Sequence, residues 1–456
     1  MSQDTSSLAK GKCNSSFDIS NKMIPFLDIH MVLPIFDWLE DSKISSFRSN
    51  SIEHLNTQMY RENEIAKARL ALLNNTNMVE YAMDEFKKIH KTEDVPEEME
   101  NRNGAVMKQY ESIKKSKLSE CAESCYNELN ETKVIPVLSD AELEEYGIQR
   151  EELDKCMDYG KFLMNCGLYQ DALIMITFYM AQLPRTTCKD LFQDRLMNCY
   201  WGRLTCEILI DEPEGAQNDL RQMEQYLNQV ESSVPAAQIL QSRCWLLHYS
   251  LYLFSRYPED IDQFVRLSLR REYLAAMEIN CPWLLRYVAV VAVVQNRQNL
   301  ARVVDILDRR QESLEDPLLL FLHSLLIRMD FEAASKELGR CPDVFESDFF
   351  LRVNGEELLQ SFMENAQLLV LELLFHVQRS ITMENLAQTV SMSMTECEKW
   401  VKELVEKDVM KMTISEKGYV TISKATPSVY EQVMEKSKEL EQRINVMQKI
   451  LTSKRE

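Results

Sequence analysis

Cys121 and Cys125 stand four residues apart, which would place both thiols on one face of a helix, a spacing a zinc site could use. Neither a histidine nor a second cysteine pair lies nearby, so a reduced structural pair is the expected reading. His30, His54, His90, His248, His323 and His376 are isolated from one another. His248, His323 and His376 fall in apolar segments, where a satisfied core imidazole is commoner than a catalyst. No G-x-x-x-x-G-K-[ST], G-x-G-x-x-G or H-E-x-x-H occurs, so neither a phosphate cradle nor a zincin helix is available. We therefore expect a protein that is not an enzyme and uses no cofactor or metal. The remaining charged motif is Arg297, Arg302, Arg309 and Arg310, preceded by Arg266, Arg270 and Arg271. It is the one candidate RNA-facing patch. A solvated face or a dock for an acidic partner would carry the same residues, and a charge run alone does not decide.

The elements that would hold such residues are helical. Only 10 glycines and 12 prolines punctuate 456 residues, and both types concentrate at breaks because they are costly inside helices. Hydrophobic residues make up 45%, ordinary for a folded chain, and the length exceeds what one compact core supports. The net charge of −20 repels a polyanion, so DNA binding is not expected. The first sixteen residues are polar and lack the apolar stretch of a signal peptide. The apolar run Trp283–Val294 contains Arg286 and is too short to span a bilayer, so no membrane is expected. Reduced cysteines then suit a cytoplasmic protein, with room for a nuclear pool.

Six segments follow from periodicity. Residues 1–16 are expected as a disordered tail, and 17–152 as an N-terminal helical region. In the latter, Pro25 and Pro34 break the first helices, Ser51–Leu73 forms one longer helix and Met78–Ile89 another. A helix is expected around Val106–Leu129 and a linker around Asn130–Leu138. Residues 153–238 form helical repeats. In them Tyr159–Cys166 and Tyr169–Met180 turn at Gly167, and Trp201–Ile210 and Ala216–Leu227 turn at DEPEG. Residues 239–356 continue the stack, with Ile239–Phe254 apolar nearly all round, and Leu318–Arg328 and Glu332–Leu338 as a further hairpin.

Residues 357–424 read as a winged helix. Leu359, Phe362, Ala366, Leu369, Leu373 and Val377 stripe a long helix, and Thr382 caps a second that runs through Val390. A third follows, with Ser393–Glu396 and Thr395–Glu398 both at capping-box spacing and Cys397, Trp400, Val401, Leu404 and Val405 as its buried face. The period then changes from 3.6 to 2: Met410, Met412 and Ile414 alternate in one strand, Val420 and Ile422 in the next. The third helix carries Glu396, Glu398, Glu403, Glu406 and Asp408 against Lys399, Lys402 and Lys407, the wrong sign for phosphate contact. Residues 427–456 form a last helix, where Val433, Leu440, Ile444, Met447 and Leu451 make a narrow stripe. Such a stripe suits bundling with partner helices or folding back on its own module. The fold class is thus all-α, a helical-repeat superhelix of TPR or HEAT type followed by a winged helix with a small β-hairpin.

A helical stack running into a winged helix resembles the PCI domains of the proteasome lid, the signalosome and an initiation factor. The run ITMENLAQTVSMSMTECEKWVKELVEKDVMKMTISEKGYVTI resembles the PCI winged helix throughout. FLDIHMVLPIFDWL, NNTNMVEYAMDEFKKI, YGKFLMNCGLYQDAL, CPWLLRYV, SDFFL and FMENAQLLVLELLFHVQRSI, in that order, resemble one PCI family of eukaryotic translation initiation factor three, that of its e subunit. The polar N-terminal tail, the Lys91–Leu138 region and Ser415 in the wing turn depart from that pattern. The resemblance implies a scaffold component of that factor, acting in translation initiation. It implies contacts to neighbouring PCI subunits through the wing residues Met410, Met412, Ile414, Val420 and Ile422 and through the last helix. It further implies a contact to the d subunit through the N-terminal helices, and an indirect one to the small ribosomal subunit. Two rivals remain at this point: a PCI scaffold of the lid or signalosome, and a stand-alone nucleic-acid-binding winged helix.

Overall fold

The structure is a computed structural model. It describes residues 17–41, 43–44, 57–58, 62–132, 136–183, 190–191, 193–257, 260–295, 297–309, 315–353, 355–378, 380–390, 393–406, 412–414, 419–422, 433–434, 436–438, 440–441 and 443–444. These fall into two compact units. One holds the described residues of Met1–Leu319 and Cys341–Phe362, the other those of Leu320–Arg340 and Met363–Glu456. The expected tail 1–16 lies outside the described residues.

The first unit begins with α1 (Ser20–Met23), a 3-10 turn at Ile24–Phe26 opened by Pro25, and α2 (Ile29–Asp41). Pro25 breaks the chain as expected, but Pro34 lies inside α2. It forfeits one backbone bond, and the helix persists because Leu33 and Ile35 on either side are buried. This segment packs against helices far along the chain. The Phe26 ring stacks on His248 at 4.3 Å, Trp38 meets Phe349 edge-on at 5.7 Å, and the Tyr169 hydroxyl lies 3.2 Å from His30 Nδ1. A single helix over Ser51–Leu73 does not form. Thr57–Gln58 (β2) pairs antiparallel with Lys43–Ile44 (β1), and the helix starts only at Glu62. Cross-strand pairing there overrides helical periodicity.

The helices α3 (Glu62–Leu73) and α4 (Val79–His90) form a hairpin around Arg69, which is 1% exposed. Its guanidinium meets Asp37 at 3.0 Å, Glu40 at 2.6 Å and Glu85 at 3.0 Å, so the buried charge is matched. The helix expected over Val106–Leu129 is two, α5 (Glu97–Lys114) and α6 (Lys117–Thr132). The Ser116 hydroxyl accepts from the Ser119 amide at 3.3 Å, so Ser116 caps a new helix. A short α7 (Asp140–Glu145) follows, opened by a full capping box from Ser139 and Glu142.

In the repeats, α8 (Asp154–Asn165) and α9 (Tyr169–Gln182) turn at Gly167, whose φ of +80° requires glycine. The next pair is α10 (Arg195–Ile210) and α11 (Pro213–Val230). Ile176 on α9 is wedged between two helix glycines: a Cβ on Gly160 would lie 2.8 Å from Ile176 Cγ1, and one on Gly202 3.0 Å from its Cδ1. Gly is unfavourable mid-helix, so its gain here is the close approach of three helices. Gly160→Val is therefore expected to destabilise by about 1–3 kcal/mol through overpacking, read as a lower urea midpoint at unchanged slope.

Beyond these, α12 (Ala236–Ser255) is buried nearly all round, as its pattern implied. His248 on it is a neutral core imidazole. Its Nδ1 donates to the Cys244 carbonyl at 2.7 Å and its Nε2 accepts from Trp283 Nε1–H at 3.2 Å. Burial lowers its pKa to about 4. The stack continues through α13 (Ile261–Ser268), α14 (Arg271–Asn280), α15 (Leu285–Val294) and α16 (Leu300–Arg309). Then come α17 (Pro317–Leu326), α18 (Phe331–Leu338), α19 (Cys341–Ser347) and α20 (Phe349–Arg352). Arg286 in the apolar run of α15 is 3% exposed and ion-paired to Asp316 and Asp348.

The second unit contains most of α17, all of α18, part of α21 (Gly355–Val377), α22 (Met383–Thr389), α23 (Met394–Glu406) and strands β3 (Ser380–Thr382), β4 (Met412–Ile414) and β5 (Tyr419–Ile422). The sheet is antiparallel in the order β3-β5-β4, with Ile381 opposite Val420 and Ile414 opposite Val420. Residues Glu357–Val377 are long and apolar enough to cross a membrane, at mean hydropathy 1.2. Phe362, Ala366 and Leu369 to Leu371 are buried and Glu364 is exposed, as in a core helix.

Candidate functional site

Local sequence rules build the winged helix. Thr382 accepts from the Asn385 amide at 3.4 Å and starts α22. Ser393 and Glu396 make the capping box: Glu396 Oε2 accepts from the Ser393 hydroxyl at 2.7 Å and its amide at 3.3 Å, and Ser393 Oγ accepts from the Glu396 amide at 3.3 Å. Those bonds hold the exposed Glu396 carboxyl below the usual range. The Thr395–Glu398 box does not form, because α23 already begins at Met394 and Thr395 is inside it. The core is Ile381, Met383, Leu386, Val390, Cys397, Val401, Leu404 and Val420. The Cys397 Sγ lies 3.9 Å from Met383 Sδ, and burial pushes its thiol up to about 11. Asp330 caps α18 through the Ala333 amide at 3.0 Å, and Ser335 on that helix donates to the Gln388 carbonyl at 3.0 Å. Residues 331–338 thus pack on α22 in the same unit.

Two residues assigned to buried positions from periodicity are exposed, Val405 at the end of α23 and Val377 at the end of α21, and so is His376, expected as a core imidazole from its apolar segment. Each lies in a last turn, where the stripe outruns the core.

The predicted contact residues separate into groups. Val420 is fully buried in its own module, so its side chain holds the wing together instead of facing a partner. Met412, Ile414 and Ile422 lie in the strands as expected. The outer edge of β4 has no strand partner among the described residues. Val433, Leu440 and Ile444 are helical and 57%, 57% and 54% exposed. Met434 falls outside a seam spaced at threes and fours from Val433, and it widens that stripe at 61% exposed. Met410, Met447 and Leu451 lie outside the described residues. On α23 the described exposed charges are Glu396, Glu398 and Glu403 against Lys399 and Lys402, while Lys407 and Asp408 lie outside them.

The arginine cluster divides as well. Arg302 and Arg309 line one groove with Arg270 and Arg271, whereas Arg266 is paired to Asp262 at 2.7 Å and is not in its wall. Arg297 lies in a 3-10 turn before α16, and Arg310 is outside the described residues. Cys121 and Cys125 are both buried on α6, and their mutual hydrogen bond with burial pushes the Cys121 thiol up. No group of three His, Cys, Asp or Glu among the described residues could hold a metal.

A helical stack with a winged helix of this topology defines a PCI-class protein, and residues 333–424 match the PCI domain family. Residues 18–163 match the family described as eIF3 subunit 6 N terminal domain. The chain is 30% identical to the E subunit of eukaryotic translation initiation factor 3 from Arabidopsis thaliana over 441 residues, covering 93% of this chain and 94% of that protein. The corresponding proteins of Brugia malayi and Caenorhabditis elegans are 28% and 27% identical, each over 93% of this chain and covering 92% and 95% of theirs. This chain belongs to the family of the E subunit of eukaryotic translation initiation factor 3.

Proposed function

We propose that the protein is a non-catalytic scaffold component of the eukaryotic translation initiation factor 3 complex, supporting its assembly, its attachment to the small ribosomal subunit and mRNA recruitment in the cytoplasm. Family membership supports the complex. The observation that carries the scaffold role is the exposed apolar stripe Val433, Met434, Leu440 and Ile444, a surface that water disfavours unless partner helices cover it. Neighbouring PCI subunits would add a strand at the open edge of β4 and bundle their last helices on this stripe. A contact of the N-terminal helices with the d subunit rests on the resemblance alone.

Affinity purification with mass spectrometry tests the assignment: initiation-factor subunits should be recovered, and proteasome-lid or signalosome subunits without them would overturn it. Leu440→Glu with Ile444→Glu should release the chain from co-sedimentation with those subunits while its circular dichroism stays unchanged. Undiminished co-sedimentation would remove the helix-bundle mechanism.

A further inference from the structure

We propose that Cys244 and Cys281 are a redox-active pair, joined into a disulfide by hydrogen peroxide and returned to thiols by a dithiol reductant. Cys244 lies on α12, and Cys281 is where the chain leaves α14, with φ −136° and ψ 57°. The two sulfurs converge on one atom, each 3.6 Å from the Ala276 carbonyl oxygen. They also hydrogen-bond to each other. One helical turn along α12, Trp283 Nε1–H donates to His248 at 3.2 Å, so the chain from Cys281 runs beside that helix.

Asn280 Nδ2 donates to Cys244 Sγ at 3.4 Å, and the Cys281 thiol donates to it as well. The bond from Cys281, with that from Asn280, holds the Cys244 thiol below its ordinary value against burial, which marks it as the attacking sulfur. Its thiolate attacks one peroxide oxygen: an S–O bond forms, the O–O bond breaks, and the departing hydroxide takes up the thiol proton as water. The Cys281 sulfur then displaces hydroxide from the Cys244 sulfenic acid, forming the S–S bond and releasing a second water with the Cys281 proton. Two electrons leave the sulfurs and reduce one peroxide to two waters. Two exchanges with a dithiol, itself oxidised to its disulfide, restore both thiols. Both cysteines are fully buried, but Cys281 follows a last helical turn in which Ile279 is 69% exposed and Asn280 half-buried. Fraying of that turn admits an oxidant little larger than water.

Cys121 and Cys125 are hydrogen-bonded too, but they sit at i and i+4 of one helix. Their Cβ atoms then stand about 5–6 Å apart, whereas a disulfide needs about 3.5–4.5 Å. Cys244 and Cys281 belong to different elements, so neither is held apart by a shared helical backbone. Their bond fixes the Pro282–Leu284 turn on α12. Trp283 and His248 there hold the Phe26 ring, at 5.7 Å and 4.3 Å, so oxidation tightens the seat of the N-terminal segment.

The test treats the reduced full chain with hydrogen peroxide, alkylates the remaining thiols in denaturant and maps unreduced peptides by mass spectrometry. The first disulfide to form should link Cys244 to Cys281, revert with dithiothreitol and raise the melting temperature by about 3–5 °C. Trypsin should then cleave at the exposed Lys22 more slowly. C281S should show neither change and should accumulate a dimedone-reactive sulfenic acid at Cys244. Alkylation of both Cys244 and Cys281 after other cysteines have oxidised, or Cys121–Cys125 as the first link, would overturn the proposal. So would a C281S variant whose melting temperature rises equally on oxidation.

Discussion

Arg286→Met is expected to cost about 3–5 kcal/mol of stability, because it leaves the buried Asp348 and the half-buried Asp316 without their counter-charge. The guanidinium donates Nε–H to Asp316 and Nη1–H to Asp348 at 2.7 Å, and Nη1 also donates to the Phe17 carbonyl at 3.0 Å. Asp348 is 2% exposed and accepts from the Tyr287 hydroxyl at 2.9 Å and the Phe350 amide at 3.0 Å. One side chain therefore ties α15 to the caps of α17 and α20 and to the start of the N-terminal segment. Urea unfolding should show the loss in its midpoint, and limited proteolysis should show earlier cleavage near Phe17. Combining Arg286→Met with Asp316→Asn and Asp348→Asn should recover much of the stability, since neutral groups avoid the unpaired buried charge. A single variant as stable as the parent would mean the ion cluster is not what holds these elements.

A second large effect is expected with pH. Glu207 on α10 is buried beside Asp219 of α11, and burial, with the neighbouring Asp219 charge, pushes its pKa up to about 8 against the Arg203 charge. Arg203 is bound by Asp219 through both Nε and Nη2, so little of its charge is left for Glu207, whose nearest approach to it is 4.0 Å. The folded state thus holds the Glu207 proton more tightly than the unfolded chain does. Stability from this group is full below the ordinary glutamate pKa of 4.5 and is lost as pH rises to about 8. The slope in that window is about 1.4 kcal/mol per pH unit at most. Glu207→Gln should flatten the profile and make the variant more stable than the parent at pH values above the window. Parallel stability curves for the two proteins from pH 5 to pH 9 would sink this account.

Much of the winged helix was legible because its signals are local. Thr382 and Ser393 cap helices by hydrogen bonds spanning three residues, and the change to alternating apolar residues after the third helix marks strands whatever the surroundings. Gly167 was legible for the same reason: a positive φ at a helix end calls for glycine. Less visible was the break at Ser116, since a serine cap inside a polar helix leaves no change in apolar period. The β1–β2 pair was hidden because its partners lie about one loop apart and contribute only two residues each.

The sequence by itself determined the helical class, the hairpin turns, the period switch that makes the wing, and the family. Those properties follow from backbone propensity and from side chains within a turn or two of one another. Only the tertiary structure decided that residues 17–41 lie across α9, α12 and α20, through Phe26 on His248 and Trp38 on Phe349. It alone decided that Arg286 is matched by Asp348, Arg270 by Glu224 and Arg309 by Glu278. It also turned Val420 inward while leaving Val433 and Leu440 in water. Burial and ion pairing are set by which distant helices pack together, and a charge or an apolar residue looks the same in sequence whether or not its partner arrives.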